Sequence, residues 1–197
     1  MKRIYNYLVL LSIILFTGCV NLEYFTKQGD YQGALIYCRN LKDTNQREDC
    51  FYRLALDFTE MGKYDTALKC FESGKDPAYG QRQIGVKYLT GIDFSKGMQL
   101  VYAGTQHNPE LRNDLLFHAA SQIRDSAEYY LRHQGIEKAA HKFIQSAICY
   151  EKSGQYEEGI QCYLKAAKIY LLETRKENPG TRTKSFLSQS EKYKKSR

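Results

Sequence analysis

Apolar residues recur at helical spacing along most of the chain. The spacing i, i+3, i+4, i+7 occurs at Phe51, Leu54, Ala55 and Phe58 and again at Phe143, Ser146, Ala147 and Tyr150. Residues at these intervals lie on one face of an α-helix. The chain has only three prolines and no long run in which apolar and polar residues alternate. The pattern therefore predicts an all-α protein.

A short motif follows each of these two helices and also occurs once upstream. It reads Gly29-Asp30-Tyr31-Gln32-Gly33-Ala34, Gly62-Lys63-Tyr64-Asp65-Thr66-Ala67 and Gly154-Gln155-Tyr156-Glu157-Glu158-Gly159. The glycine ends a helix because it takes the left-handed conformation at little cost. The tyrosine then fills the elbow, and the small residue three positions later lets two helices approach closely. The first two copies are 33 residues apart, which indicates a stacked helical repeat.

These residues resemble the tetratricopeptide repeat (TPR) family. The resemblance covers residues 22–172 and implies an α-solenoid of antiparallel helix hairpins, a TPR-like superhelix of about nine or ten helices. We assign residues 19–177 to this repeat domain. A third unit matches loosely, because Gly91 stands one residue too far upstream of Phe94. Five glycines in this unit indicate either a close approach of two backbones or a soft region.

Proline marks two further helix starts. In Asp76-Pro77 and in Asn108-Pro109, the first residue reads as an N-cap and the proline as the first helical residue. The second start opens a long helical pattern over residues 111–133. Helices over residues 136–152 and 156–177 are predicted to follow.

Residues 1–18 are predicted to be a lipoprotein signal peptide. Lys2 and Arg3 precede an apolar run of about 13 residues, which is shorter than the about 20 that a membrane-spanning helix needs. The run ends in Phe16-Thr17-Gly18-Cys19, which looks like a bacterial lipobox and implies lipid attachment at Cys19. Val20, in place of an aspartate, favours the outer membrane. An ordinary signal peptide with an incidental cysteine and a retained membrane anchor are the alternatives.

The positive charge is concentrated at the end of the chain. The sequence has a net charge of +7, and residues 175–197 hold eight Lys and Arg against two Glu. The repeat domain is therefore close to neutral. Asn178-Pro179-Gly180 breaks the last helix, and residues 178–197 are predicted to be a basic, solvated and disordered tail. The alternative is contact of this tail with acidic headgroups or with an acidic partner.

Five cysteines follow Cys19, and their state is left open by the sequence. Cys38 and Cys50 flank one predicted turn, and Cys149 and Cys162 flank another, so each pair is a candidate disulfide. The alternative is that all five, including Cys70, are small buried apolar residues. The sequence has no C-x-x-C motif, so neither a zinc site nor a thioredoxin-like site is expected.

Candidate catalytic residues are not evident. The four histidines lack the spacing of metal ligands, and no P-loop, G-x-S-x-G or H-E-x-x-H motif occurs. We therefore expect no enzymatic activity, no cofactor and no metal.

The TPR resemblance also implies a concave groove formed by the first helix of each unit, in which a protein or peptide partner binds. Aromatic and apolar residues beside charges suit such binding. The groove positions implied by the resemblance are Asp49, Tyr52, Leu56, Thr59 and Glu60, and His141, Ile144, Ile148, Glu151 and Lys152. No nucleic-acid partner is expected.

The leading interpretation is a non-enzymatic adaptor or scaffold, anchored to the membrane of a bacterial cell envelope, that binds a protein or peptide through this groove. One alternative is a cell-envelope hydrolase or its regulatory subunit. Another is a structural lipoprotein that binds membrane or peptidoglycan.

Overall fold

The computed structural model of the protein describes residues 22–133 and 135–174. Over these residues it confirms the predicted all-α fold, with nine α-helices, one π-helical turn and no β-strand. The α-helices are α1 (Leu22–Lys27), α2 (Tyr31–Asn40), α3 (Thr44–Glu60), α4 (Tyr64–Glu72), α5 (Pro77–Lys87), α6 (Phe94–Gly104), α7 (Pro109–Arg132), α8 (Ile136–Lys152) and α9 (Tyr156–Thr174). The π-helical turn, Tyr88–Ile92, lies between α5 and α6. Cys19, the predicted signal peptide and the basic tail lie outside the described residues.

The chain divides into two compact units. The first ends at Gly80 and the second begins at Gln81, within α5. In each unit the helices pack mainly against their neighbours in sequence as antiparallel pairs, which is consistent with a helical repeat arrangement. None of the helices in the described part of the chain is long and apolar enough to cross a bilayer.

Five elbows between helices close with the same hydrogen bond, in which a backbone N–H donates to the carbonyl five residues earlier. The donor–acceptor pairs are Asp30–Phe25 (2.9 Å), Lys63–Phe58 (2.8 Å), Asp93–Tyr88 (3.1 Å), Gly135–Tyr130 (2.8 Å) and Gln155–Tyr150 (2.8 Å). The accepting residue is aromatic in all five. In three of the elbows, the residue before the donor is a glycine with positive φ: Gly29 (71°), Gly62 (72°) and Gly154 (83°). These are Schellman motifs, and they confirm the predicted role of the three glycines.

The helix after each elbow begins six residues beyond the aromatic acceptor. Three residues into that helix stands a small residue, and all five of these are buried: Ala34, Ala67, Gly97, Ala139 and Gly159. The structure thus repeats the elbow five times, whereas the sequence motif is evident at only three. In two elbows, those whose closing hydrogen bond is accepted by Tyr88 or Tyr130, the residue before the donor is not a glycine. The sequence motif therefore does not reveal these two elbows.

In the third repeat unit, the π-helical turn accounts for the irregular position of Gly91. Asp93 donates to Tyr88 across this turn, and the same residue then caps α6 by accepting a hydrogen bond from the Lys96 backbone N–H at 3.0 Å. A π-turn has the i→i+5 bond built into it. The elbow therefore closes without a glycine in the left-handed conformation, and Gly91 stands free of that requirement.

Two other glycines of the third repeat unit lie where two backbone segments approach closely. A Cβ atom added to Gly97 would stand 2.4 Å from the backbone nitrogen of Leu89, and one added to Gly85 would stand 2.9 Å from that of Val101. Real Cβ atoms do not come this near to backbone atoms. Close approach, and not softness, is therefore the reason for glycine at these two positions.

The two proline-marked helix starts are confirmed. The Asp76 carboxylate accepts a hydrogen bond from the Tyr79 backbone N–H at 2.8 Å, and α5 begins at Pro77. Asn108 caps α7 in the same way, accepting from the Leu111 N–H at 2.9 Å. These caps satisfy N–H groups that have no partner within the helix.

The cysteines adopt both of the predicted states. Cys38 of α2 and Cys50 of α3 form a disulfide. Cys70, Cys149 and Cys162 are buried, free thiols, so the second candidate pair is not bonded. Burial raises the pKa of Cys70 to about 11 and that of Cys149 to about 12, which keeps both as unreactive thiols near neutral pH.

Candidate functional site

The predicted groove residues of the first compact unit, which ends at Gly80, lie on α3. We call Asp49, Tyr52, Leu56, Thr59 and Glu60 the α3 face. Tyr52 is half-buried and packs edge-on against Phe71, with ring centroids 5.6 Å apart. Its ring also lies 5.9 Å from that of Tyr79. Burial raises the pKa of Tyr52, assisted by the nearby Tyr79 and Asp76. Tyr52 thus presents a supported, protonated phenol.

The other members of the α3 face differ in what they offer a partner. Leu56, one turn after Tyr52, is exposed, and so is Glu60. The Thr59 hydroxyl donates to the Ala55 carbonyl at 2.8 Å, so its hydroxyl hydrogen is already used. Asp49 forms an ion pair with Lys75 at 2.5 Å. The contact surface of this face is therefore mainly Tyr52 and Leu56, with a carboxylate beside them.

Asp57 is a residue of this helix that the sequence did not single out. Burial raises the pKa of its carboxyl group, and repulsion from Glu60 raises it further. The last turn of α3 contains no basic residue, although the C-terminus of a helix favours positive charge. Two acidic residues three positions apart at a helix end were the signal that the sequence offered.

The predicted groove residues of the second compact unit, which begins at Gln81, lie on α8. We call His141, Ile144, Ile148, Glu151 and Lys152 the α8 face. Ile144 and Ile148 pack partly against the core of the unit, so only part of each is open to a partner. Glu151 accepts a hydrogen bond of 3.4 Å from the Tyr163 hydroxyl. His141 and Lys152 are exposed. This face is aliphatic at its centre and lacks an aromatic anchor.

Two polar residues beside the α8 face were missed by the sequence analysis. The Lys142 ammonium donates to the carbonyl of Thr90, in the π-helical turn, at 3.1 Å, and burial lowers its pKa. The side-chain nitrogen of Gln145 lies 3.3 Å from Nε2 of His141. The carbonyl oxygen of the Gln145 side chain is buried without a hydrogen-bond partner among the described residues. Lys142 and Thr90 are 52 residues apart, so no local pattern indicates their contact.

The histidines lie at the surface. All four are exposed: His107, His118, His133 and His141. His133 follows α7, where its Nδ1 lies 2.8 Å from the Tyr129 carbonyl and its ring stacks on Tyr129 at 4.2 Å. In residues 22–133 and 135–174, no group of three or more His, Cys, Asp or Glu is placed to hold a metal ion.

Comparison with known proteins does not place the chain in a family. Its sequence matches none of the protein-family models and shows no significant match to a curated protein.

Proposed function

We propose that this protein is a lipid-anchored, non-enzymatic adaptor of the bacterial cell envelope, similar to TPR proteins, that binds a segment of a partner protein. The observation that carries the proposal is the α3 face, where the supported ring of Tyr52 lies one turn from the exposed Leu56. An aromatic side chain held by its neighbours loses little conformational entropy on binding, and such residues dominate the affinity of protein interfaces.

The five repeated elbows support the similarity to TPR proteins. Each joins two helices through an aromatic acceptor and a buried small residue. In such repeats, stacked helix pairs present extended faces and not deep pockets. A partner segment of several residues fits such a surface better than a small substrate does.

The first test is site-specific photo-crosslinking in living cells. A photoreactive amino acid in place of Leu56 is expected to give one major covalent adduct with an envelope protein, which mass spectrometry then identifies. The matched control is the same amino acid in place of Ile36 of α2, which is also exposed, at 55 %. Equal adducts at the two positions would argue against a specific role for the α3 face.

The partner segment identified in this way allows a quantitative prediction. Tyr52→Ala is expected to weaken its binding by about 2 kcal/mol, or roughly thirtyfold in Kd. Ile148→Ala, a substitution on the α8 face, is measured in the same way as a separate test of that face. Tyr24→Ala, which removes an exposed tyrosine from α1, should leave Kd unchanged. Isothermal titration calorimetry with the purified mature chain measures all three.

Salt and truncation separate this proposal from binding by the basic tail. Apolar contacts are screened little by salt, so Kd should change little between low and moderate ionic strength. Truncation after Asn178 should also leave Kd unchanged. Loss of binding on truncation, together with a steep salt dependence, would instead make the tail the binding element and reduce the repeats to a spacer.

Anchoring at Cys19 is a separate prediction. The short apolar run that ends in Thr17-Gly18-Cys19 motivates it. Cys19→Ser is expected to move the protein from the detergent phase to the aqueous phase, or to leave it unprocessed, because the lipid is attached through the thiol. Phase partitioning and N-terminal mass analysis test this. Unchanged partitioning with a mature N-terminus at another residue would rule the anchor out.

A further inference from the structure

The Lys142 side chain places a positive charge on α8 without a carboxylate beside it. Its ammonium group donates one hydrogen bond, to the Thr90 carbonyl at 3.1 Å. It forms no ion pair with any residue in the ranges 22–133 and 135–174. The side chain is half-buried, and burial lowers its pKa. A half-buried charge without a counter-charge destabilises the folded chain, and two of the three N–H donors of this ammonium remain free for a ligand.

Gln145 lies one turn after Lys142 and holds a second unsatisfied group. Its side-chain oxygen is buried and accepts no hydrogen bond from the part of the chain that the structure describes. Its side-chain nitrogen lies 3.3 Å from Nε2 of His141. Because the residue as a whole is only half-buried, this oxygen lies just below the surface. A buried acceptor without a donor is unfavourable, so this position favours a ligand that supplies an N–H group.

Lys142, Gln145 and Ile148 form one row across the surface of α8. Residues three positions apart are neighbours on a helix, so a chain that crosses α8 along this row meets an ammonium, an amide and an aliphatic side chain in turn. Ile148 packs partly against the core and leaves the rest of its surface open. The two glutamates of α8, Glu137 and Glu151, lie about 140° and 180° around the helix from Lys142. The charge of the row is therefore positive.

We propose that this row binds an extended segment of the partner protein that carries an acidic residue next to an aliphatic one. The carboxylate accepts hydrogen bonds from the free donors of Lys142, a backbone N–H of the segment donates to Gln145, and the aliphatic side chain packs on Ile148. The bond from Lys142 to the Thr90 carbonyl is kept, and it holds the ammonium in place. This inference rests on the proposed function, because it names the kind of segment that the α8 side of the protein accepts.

The unsatisfied groups favour a protein segment over an anionic lipid or a free phosphate. Lys142 needs an anionic acceptor, whereas the oxygen of Gln145 needs a donor. A peptide supplies a side-chain carboxylate and a backbone N–H side by side. A phosphate group supplies acceptors for Lys142 but leaves Gln145 unsatisfied. The aliphatic Ile148 at the end of the row also matches a peptide side chain better than it matches a polar headgroup.

A titration of the isotope-labelled mature chain, followed by NMR, tests the contact. The probe is a terminally blocked pentapeptide with one glutamate between two leucines, and the matched probe has glutamine in place of the glutamate. The first peptide is expected to shift the backbone amides of residues 90–92 and 141–148 and the side-chain amide of Gln145. The glutamine peptide should bind roughly tenfold more weakly, because it lacks the charge-assisted hydrogen bonds. Equal affinities of the two peptides, or shifts only at other residues, would overturn the proposal.

Substitutions on α8 identify the group that binds the carboxylate. Lys142→Met removes the charge and should lower the affinity for the glutamate peptide roughly tenfold, while Lys142→Arg should restore most of it. The matched control is Lys138→Met, one turn earlier, because Lys138 is exposed and its ammonium lies over the Tyr130 ring at 5.7 Å. Equal losses for the two methionine variants would overturn the proposal in favour of a general attraction of anions. The comparison of the two peptides on the native chain decides the question if Lys142→Met folds poorly.

Inorganic phosphate and vesicles containing phosphatidylglycerol distinguish the other occupants. Phosphate that shifts the same amides and binds more tightly than the glutamate peptide would overturn the proposal. So would sedimentation with the vesicles that Lys142→Met abolishes, if the glutamate peptide does not bind. Photo-crosslinking at Leu56 does not involve α8, so a failure of the α3 face and a failure of this row are distinguishable. Tyr52→Ala should leave the affinity for the glutamate peptide unchanged.

Discussion

Gly97→Ala is expected to lower the free energy of unfolding by about 3 kcal/mol. The added methyl group would stand 2.4 Å from the backbone nitrogen of Leu89 and 2.7 Å from Cγ of that residue. Because one of these atoms belongs to a backbone, no side-chain rotation relieves the overlap. Helix α6 has to move away from the π-helical turn, which disturbs the core cluster that contains both Leu89 and Val101.

Gly91→Ala is the matched control, since it adds the same methyl group six residues away in the same unit. A Cβ atom there meets no other atom within 4 Å, and Gly91 has no positive φ. We expect stability to stay the same or to rise by about 0.5 kcal/mol, because alanine restricts the unfolded chain more than glycine does. Urea denaturation followed by circular dichroism measures both variants. Similar losses for the two would show that the close approach at Gly97 is incorrect.

Removal of the disulfide is expected to have the second large effect. Cys38 and Cys50 are 12 residues apart, and a loop of this size stabilises a fold by about 3 kcal/mol in the chain-entropy description. The variant Cys38→Ala/Cys50→Ala should lose about this amount. Cys149→Ala/Cys162→Ala removes two buried thiols without breaking a bond. For the first variant, the free energy of unfolding should be the same under reducing and non-reducing conditions. For the native chain and the second variant it should be lower under reducing conditions, because both keep the disulfide.

Thiol labelling checks the pairing directly. In denaturant without a reductant, a Cys19→Ser chain should take up three equivalents of iodoacetamide, at Cys70, Cys149 and Cys162. After reduction it should take up five. Five equivalents without reduction would contradict the disulfide. Labelling of the folded chain should be slow, because the remaining thiols are buried and burial raises their pKa values.

Local rules were enough to predict the regular parts of the fold. Gly62 and Gly154 were identifiable because a Schellman elbow needs positive φ, which few other residues adopt. The two elbows whose closing hydrogen bond is accepted by Tyr88 or Tyr130 were not identifiable in this way. At Tyr88 a π-turn makes the closing bond without such a glycine, and no short motif encodes that choice.

The sequence predicted which residues of the candidate site share a helix face, but not how their side chains are supported by the rest of the fold. Helical spacing placed Tyr52 and Leu56 on one face. The support of Tyr52 by Phe71 and Tyr79 depends on how three helices pack, which spacing does not determine. For the cysteines, spacing allowed both candidate pairs equally. In the structure Cys38 is bonded to Cys50, whereas Cys149 and Cys162 are free thiols, and spacing does not distinguish these outcomes.

The packing of helices against their sequence neighbours has a kinetic consequence. Folds whose contacts join residues near in sequence have a low contact order, and such chains fold in microseconds to milliseconds. Within each unit, a helix meets its main partner as soon as the next elbow closes, and the closing hydrogen bond spans only five residues. A chain delivered gradually from its N-terminus can therefore fold one hairpin at a time. Little apolar surface then stays exposed while the rest of the polypeptide is still arriving.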